Sequence, residues 1–387
     1  MKHFIVVGKS ERVVVAVLQG IKCFTKAKCT VIGDHETSKL SWSALCSRHI
    51  PIQFDQAPDL EVIKAINEIH KANPEAVVIP ADCPAIRLVS RIQSQLHLPV
   101  TPIPEPETLD QMDDKWKFHE FCSEHNLNVP TTCYVGSKAN LNFEEMVLKL
   151  GLPFVLKPSN ESGSLGVQVI RSKEHYLKAI EGNDAYRFNS LIAQHYIEGE
   201  DIDLSLLAIH GRLSAFAIQQ ASGPRIKFVQ NSELQALATR LCAASGFHGL
   251  MHIDARIEKS TGKVFLIESN PRFWASLTAS VWCGLNFVEE SIKASACADT
   301  NAGICVPLSL VSGTAYTRHP ILRPAAWLSL VRFDQRGRLT RSATLDLYSL
   351  GKFTADLPVL AGRYLSKFLV RGFTALRNAH TIFQAVR

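Results

Sequence analysis

No C-x-x-C pair occurs among the ten cysteines, which fall at positions 23, 29, 46, 83, 122, 133, 242, 283, 297 and 305 without metal-ligand spacing. That pattern argues against zinc ribbons and thioredoxin-type redox centres, and leaves reduced, mostly buried thiols as the expectation. Apolar runs of the roughly 18 residues a membrane span needs are also missing. The opening MKHFIVVGKSERVVVAVL is broken by Lys9, Glu11 and Arg12. It therefore lacks the continuous core of a signal peptide, and a cytoplasmic location is expected. No G-x-G-x-x-G follows the first apolar run, which weakens a nicotinamide-binding reading. Gly8-Lys9-Ser10 resembles the end of a P-loop, but the earlier glycine that motif needs is replaced by His3.

What remains is an ordinary globular composition, 46% hydrophobic and 20% charged, in 387 residues, enough for two or three domains. The net charge of +6 is uneven. Residues 318–387 hold twelve Lys/Arg against three Asp/Glu, a net +9, so the preceding 317 residues carry −3. Such a tail could meet an anionic membrane surface, RNA or a polyanion, although a solvated basic face is the more economical reading.

Apolar runs and helical periodicity alternate through the first 105 residues. Strands are expected at 3–8, 29–33 and 76–80, with helices at 10–23, 60–73 and 84–95, which predicts a small doubly wound parallel sheet. The stretch 99–108, PVTPIPEPET, reads as an extended linker. Asp113 and Asp114 precede a helix over 115–125, and a strand (131–135) and a helix (142–150) follow. In Pro153 to Ile170, PFVLKPSNESGSLGVQVI, strands 154–157 and 167–170 enclose a loop of Ser162, Gly163, Ser164 and Gly166. Small residues there would let backbone N–H groups approach an anion, with Lys157 supplying charge at the strand end. Strands are expected at 191–197 and 202–209 around a turn at Glu198-Gly199-Glu200, and a helix at 232–245.

Two further apolar runs, 250–257 and 263–267, flank Lys259-Ser260-Thr261-Gly262 and read as a hairpin. A three-residue loop at 260–262 pairs Asp254 with Glu268 and His252 with Asn270, all four on one face of the ribbon. Carboxylates directly opposite repel unless a cation lies between them, and Mg²⁺ favours such hard oxygen ligands. An exposed hairpin with solvated charges is the competing reading.

Taken in order, these segments resemble the ATP-grasp superfamily of carboxylate-activating ligases over roughly residues 1–295. G-F-H-G-L-M-H-I-D followed by F-L-I-E-S-N-P-R-F-W-A-S is the most specific part. It is similar to a subgroup with an E-x-N-x-R-F-W-x-S signature, related in pattern to carbamoyl-phosphate synthetase. The resemblance implies an α/β chain of the α+β ATP-grasp type. A pre-ATP-grasp Rossmann-like domain would span 1–105, an ATP-grasp domain 106–300 (lobes 106–195 and 196–300), and a basic C-terminal extension 301–387. It implies ATP and Mg²⁺, with Mn²⁺ as an alternative ion. Lys115 and Lys157 would contact phosphates, and Ser162, Gly163, Ser164 and Gly166 would form the lid. Gln194, Tyr196 and Ile197 would line the adenine, and Asp201 would hold the ribose. Asp254, Glu268 and Asn270 would bind the metal, with Arg272 near the γ-phosphate. Departures are Gln194 where Glu is frequent, His252 where some members carry Arg, and 221–227, ASGPRIK, without the usual double glycine; Arg225 or Lys227 could there hold a substrate anion.

The expected reaction joins a small-molecule carboxylate to an amine through an acyl phosphate. Carboxylate–thiol ligation, carboxyphosphate chemistry and a non-catalytic nucleotide-binding module stay open. No nucleic-acid partner is expected, and a homodimer is left open. Beyond residue 296, strands are read at 308–317 and 326–333, a hairpin turn at 334–337, and a basic amphipathic helix at 357–386 suited to an anionic surface.

Overall fold

The computed structural model describes residues 2–54, 59–161, 163–296, 311–317 and 327–355. The first unit comprises β1 (His3–Val7), α1 (Glu11–Phe24), β2 (Lys28–Gly33), β3 (Arg48–Pro51), α2 (Asp59–Ala72), β4 (Val77–Pro80) and α3 (Cys83–Ile92). Its parallel sheet has the order β3-β2-β1-β4, as the alternating pattern predicts, with β3 an edge strand that the sequence reading missed. Asp82 fastens this unit: one carboxylate oxygen accepts from the N–H groups of Lys9 (2.8 Å) and Ser10 (2.7 Å), while the other caps α3 through Ala85 N–H. The donors that a phosphate would need at Gly8-Lys9-Ser10 are thus already used.

The Pro-rich stretch is only partly a linker. Val78 donates to Pro99 and Thr101 donates to Val78, so the chain first runs beside β4. Pro106 then opens α4 (Pro106–Asp113), since proline at the first helical position sacrifices no hydrogen bond and sets φ. Next come α5 (Lys115–Glu124), β5 (Thr132–Gly136), α6 (Phe143–Leu150), β6 (Phe154–Pro158), β7 (Gln168–Ile170), α7 (Lys173–Tyr176) and β8 (Leu191–His195). The four strands form an antiparallel sheet of order β5-β8-β6-β7. Leu156, Phe154, Leu191 and Ala193 on one face pack against α6 and Tyr176, which leaves Lys157 and Gln194 on the other face.

The largest sheet has the order β13-β12-β9-β10-β11-β14, built from β9 (Gly199–Ile209), β10 (Arg212–Ser222), β11 (Arg225–Val229), β12 (Gly249–Glu258), β13 (Val264–Asn270) and β14 (Gly313–Tyr316). Gly199 and Glu200 belong to β9 and do not form a turn. A Cβ on Gly199 would meet the Ile257 carbonyl at 1.8 Å, so only glycine lets the two strands pair there. Between β11 and β12, α8 (Ser232–Ser245) is capped by Asn231 and stopped by Gly246 at φ 62°. After β13 come α9 (Leu277–Cys283) and α10 (Phe287–Ala296).

This sheet is apolar on both faces, but unequally. Leu204, Leu206, Ile218, Met251 and Ile253 pack under α5 and α8. On the opposite face Leu207, Ala217, Ile226 and Leu250 meet Phe273, Trp274 and α1, joining the large sheet to the first unit through one core. That cover stops short of the β12–β13 end, where the outward residues are polar.

Two expectations beyond residue 325 are corrected. Residues 328–331 form a single 3-10 turn and no strand. Asp334 begins α11 (Gln335–Thr344) instead of a hairpin, because its carboxylate accepts from Gly337 N–H at 3.0 Å and caps the helix. β14 falls within the expected strand at 308–317 and closes the edge of the large sheet against β11. The expected helix at 357–386 lies outside the described residues, as does Ser162. Among the described residues no helix is long and apolar enough to cross a membrane, and the eight described cysteines are free thiols.

Candidate active site

The β12–β13 hairpin has the expected pairs, Asp254 with Glu268 and His252 with Asn270. It reaches them by a different route. The loop holds four residues, since Glu258 pairs with Lys263 and Gly262 N–H donates to the Glu258 carbonyl. That shifts the register by one, and a bulge between Asp254 and Ala255 shifts it back.

Pairing continues across the sheet. Asp254 lies opposite Asp203 on β9, and Asp203 opposite Gln219 on β10, so Gln219, Asp203, Asp254 and Glu268 form one polar row over four strands. The next row places Ser205, His252 and Asn270 side by side. Asp203 was missed by sequence reasoning, although D-I-D-L in β9 puts it on the same face as Asp201, two residues away.

Two lysines face the end of this row. Lys157 Nζ is 3.8 Å and Lys115 Nζ 3.7 Å from the same oxygen of Glu268. Their meeting is arranged by Asp114, which caps α5 through Trp116 and Lys117 N–H and accepts from buried Ser159 Oγ at 2.6 Å. Lys115 N–H also donates to the Ser159 carbonyl, so the start of α5 is tied to the end of β6. Lys115 Nζ further donates to the Glu161 carbonyl at 2.5 Å, where the Ser/Gly loop begins.

Burial sets the electrostatics. Desolvation pulls Lys157 down to about 8, against the raising effect of Glu268. Burial lifts Glu268 above its usual range despite the two lysines, and Asp254 reinforces that rise. Asp203 is raised to about 6 by burial, opposed by His252 and assisted by Asp254. For His252 burial lowers the pKa, but the hydrogen bond and charge of Asp254 together with Asp203 outweigh it and favour the imidazolium. His252 is held at 2.9 Å from Ser205 Oγ and 3.3 Å from Asp254, and its ring stacks on Trp274 at 5.5 Å.

Arg272 donates to Asn270 Oδ1 at 2.9 Å and to the Phe273 carbonyl. Phe273 and Trp274 are buried core residues. The loop after Lys157 turns through left-handed Gly163, Ser164 and Gly166. Tyr186 donates to the Gly166 carbonyl, and a Cβ there would meet Phe188 at 2.6 Å.

The remaining candidates lie on β8, on β9 and in the short segment between them. Gln194 is buried and donates to Thr132 Oγ1 at 3.0 Å, and Ile197 is buried beside it in sequence. Tyr196 lies under the guanidinium groups of Arg256 (5.4 Å) and Arg171 (5.9 Å). Asp201 is mostly exposed and pairs with Arg256 at 2.7 Å. Arg256 was not singled out from the sequence, yet it links Tyr196, Asp201 and the Gly199 carbonyl.

Two donor sets could hold a metal. Ligand atoms of Asp203, His252 and Asp254 lie within 4.8 Å of one another. His252 there is biased toward its cationic form, which opposes metal binding. Asp254, Glu268 and the Asn270 amide oxygen instead offer hard oxygen donors, two of them carboxylates paired across a ladder. These fit Mg²⁺ better.

A family model described as an ATP-grasp domain matches residues 112–276. D-alanine–D-alanine ligase of Fervidobacterium nodosum is 40% identical over 90 residues, covering 22% of this chain and 27% of that protein. The L-amino acid ligase of Bacillus licheniformis superposes with a TM-score of 0.58 at 16% identity, covering 76% of this chain and 74% of that one. The biotin carboxylase domain of Hydrogenobacter thermophilus 2-oxoglutarate carboxylase, solved with MgADP and bicarbonate, gives 0.56 at 13% identity over 81% and 73%. The chain spans about half or less of the length of the curated relatives it matches first. With its two antiparallel sheets, its lysine-bearing Ser/Gly hairpin and its row of carboxylates, this chain has the ATP-grasp fold, and its residues 112–276 match the ATP-grasp domain model.

Proposed function

We propose that the protein is an ATP- and Mg²⁺-dependent ligase that joins a carboxylate to an amine. The observation that carries this reading is the convergence of Lys115 and Lys157 on Glu268, at the end of a row that also holds Asp254 and Asp203. A pure nucleotide binder has no need of three partly buried acidic groups on one face, each costly to desolvate.

In this reading Lys115 and Lys157 hold ATP phosphates, with Gly163, Ser164 and Gly166 closing over them. Gln194, Tyr196 and Ile197 line the adenine and Asp201 the ribose. Asp254, Glu268 and Asn270 would hold Mg²⁺, which when bound neutralises phosphate charge and orients the γ-phosphoryl group. A carboxylate alone is a poor electrophile, because oxide would have to leave. Its oxygen attacks the γ-phosphorus, ADP departs, and the acyl phosphate then has phosphate as its leaving group. The amine attacks the acyl carbon, phosphate leaves, and the ammonium proton passes to solvent or a nearby carboxylate. Arg272, fixed by Asn270, supplies positive charge where the phosphoryl group moves. The lid keeps water from the acyl phosphate.

The same reading divides the chain at about residues 105 and 300, with the two lobes meeting near 195. The eight free cysteines among the described residues favour a reducing, cytoplasmic setting. The +9 of residues 318–387 favours peripheral contact with an anionic surface. Sedimentation with anionic liposomes, with and without residues 357–387, tests that contact.

The test of function is a phosphate-release screen over amino acids and sugar acids with ATP and Mg²⁺, followed by mass spectrometry of products. A condensed product with one ADP per bond formed is expected. ATP binding with no acceptor-dependent turnover across the screen would leave the non-catalytic module standing instead.

A further inference from the structure

A cavity of about 280 Å³ lies where α1 of the first unit, α9, β11, β14 and α11 come together. Its lining is chemically one-sided. Arg12 and Gln19 project from α1, seven residues apart and thus on nearly the same helix face. Thr278 and Ser276 come from the segment after R-F-W, and Trp282, Ile226 and Leu339 supply an apolar wall. Among the described residues no Asp or Glu lines it. Among the described residues Arg12, Gln19 and Thr278 have no hydrogen-bond or ion-pair partner. One guanidinium, one amide and one hydroxyl therefore face the same space unspent.

The cavity is connected to the reaction face. Ser276 Oγ lies 3.5 Å from Gln219 Nε2, and the same nitrogen lies 3.4 Å from Asp203 Oδ2 in the carboxylate row. Trp274, two residues before Ser276, stacks on His252. Arg12 thus brings a positive charge to the cavity, and Ser276, through Gln219, links its lining to the carboxylate row. Of residues 221–227, Ile226 lines the cavity, while Arg225 lies over the ring of Tyr316, another wall residue.

We propose that this cavity receives the amine substrate, and that this substrate is a small amino acid whose carboxylate pairs with Arg12 while its amino group points toward Gln219 and Asp203. The inference rests on the ligase reading for the word substrate, and on geometry alone for the ligand class. An anion held by a planar fork at one end and an ammonium drawn to carboxylates at the other fix the molecule's direction. The apolar wall accommodates a short aliphatic or aromatic side chain. Because α11 and β14 lie beyond residue 276, the pocket's floor is made by a part of the chain that the ATP-grasp match does not reach.

Isothermal titration of the full chain, with a non-hydrolysable ATP analogue and Mg²⁺ present, tests this with the protein amino acids and β-alanine as probes. Each amino acid that binds is compared with the amine lacking its carboxylate. Loss of the carboxylate and Arg12→Ala are each expected to weaken binding about tenfold or more, with partial recovery in Arg12→Lys. Absence of binding across the whole panel, equal binding of the decarboxylated amines, or an unchanged Arg12→Ala overturns the proposal. Acceptor-dependent ADP release separates it from the ligase reading. Release that Arg12→Ala leaves untouched removes the cavity assignment and keeps the ligase; Arg12-dependent binding without any release does the reverse.

Discussion

Lys157 Nζ stands 3.8 Å from Glu268 Oε2, and Lys115 Nζ stands 3.7 Å from that same oxygen. One carboxylate thus faces two cations, one of them almost fully buried, at the place where the candidate phosphates and metal would meet. Replacing Glu268 by Gln keeps the shape and removes the charge. Acceptor-dependent ADP release is expected to fall by about 10²–10³-fold, the usual scale for a lost electrostatic contact in a preorganised site. Circular dichroism should be unchanged, because Lys157, already lowered to about 8, can shed its proton instead of unfolding the lobe. Undiminished turnover in this variant would sink the metal-site assignment.

Gly166 and Gly163 sit in one loop with similar backbone angles, φ 74° and 66°, but different surroundings. A Cβ at Gly166 would lie 2.6 Å from Phe188 and 2.8 Å from Pro158, whereas among the described residues nothing lies within 4 Å of one at Gly163. Gly163→Ala therefore carries only the backbone cost, about 1 kcal/mol. Gly166→Ala adds a clash with an aromatic wall and is expected to cost about 2–4 kcal/mol in all. Chemical denaturation should separate the two, and the KM for ATP should rise more in Gly166→Ala. Equal effects would mean that the lid is not braced on Phe188.

How far the sequence could be read depended on how local the determining interactions are. Helix α8 matched its expected bounds because Asn231 and Gly246 mark its ends in the sequence itself. The Asp254–Glu268 pair was also legible, although only because a loop one residue longer than expected was offset by a bulge, and bulges carry no reliable local signature. Asp203 could not be chosen over Asp201 without knowing which strand lies next to β12. That pairing joins residues about 50 positions apart, and it sends Asp201 to Arg256 while placing Asp203 beside Asp254. The misread turn at 334–337 has the same origin, since Asp followed by Gly three residues later suits a hairpin turn or a helix cap equally well. The amine-side cavity draws walls from residues 12 to 343, and no single stretch of sequence displays it.

Asp203 is the acidic group for which a role follows only from the structure. It lies between Gln219 and Asp254 in the row and helps to keep His252 cationic. Asp203→Asn retains the hydrogen-bonding shape beside Gln219 while removing a negative charge from the amine-facing end. ATP binding, measured by titration, is expected to stay within about twofold of the parent, while kcat falls by about tenfold or more. A pure rise in the KM for ATP with kcat intact would place Asp203 on the nucleotide and not on the amine.

The pair His210 and His248 offers a pH test remote from the carboxylate row. Their rings stack at 4.2 Å, and His248 Nδ1 accepts from the His210 backbone N–H at 3.2 Å, a bond that only the form with Nδ1 unprotonated can make. Burial, with His210 adding to it, lowers His248 to about 4, against 6.5 for the free side chain. Between these values the unfolded chain binds a proton at this site and the folded chain does not. Stability from His248 is therefore complete above about pH 6.5 and is lost as pH falls toward 4. Thermal denaturation of the parent and of His248→Gln from pH 7.5 to 4.5 isolates that contribution from the other titrating groups. The Tm difference between them should shift against the parent through this window, and a difference that stays constant with pH would show that the imidazole is not held neutral by the fold.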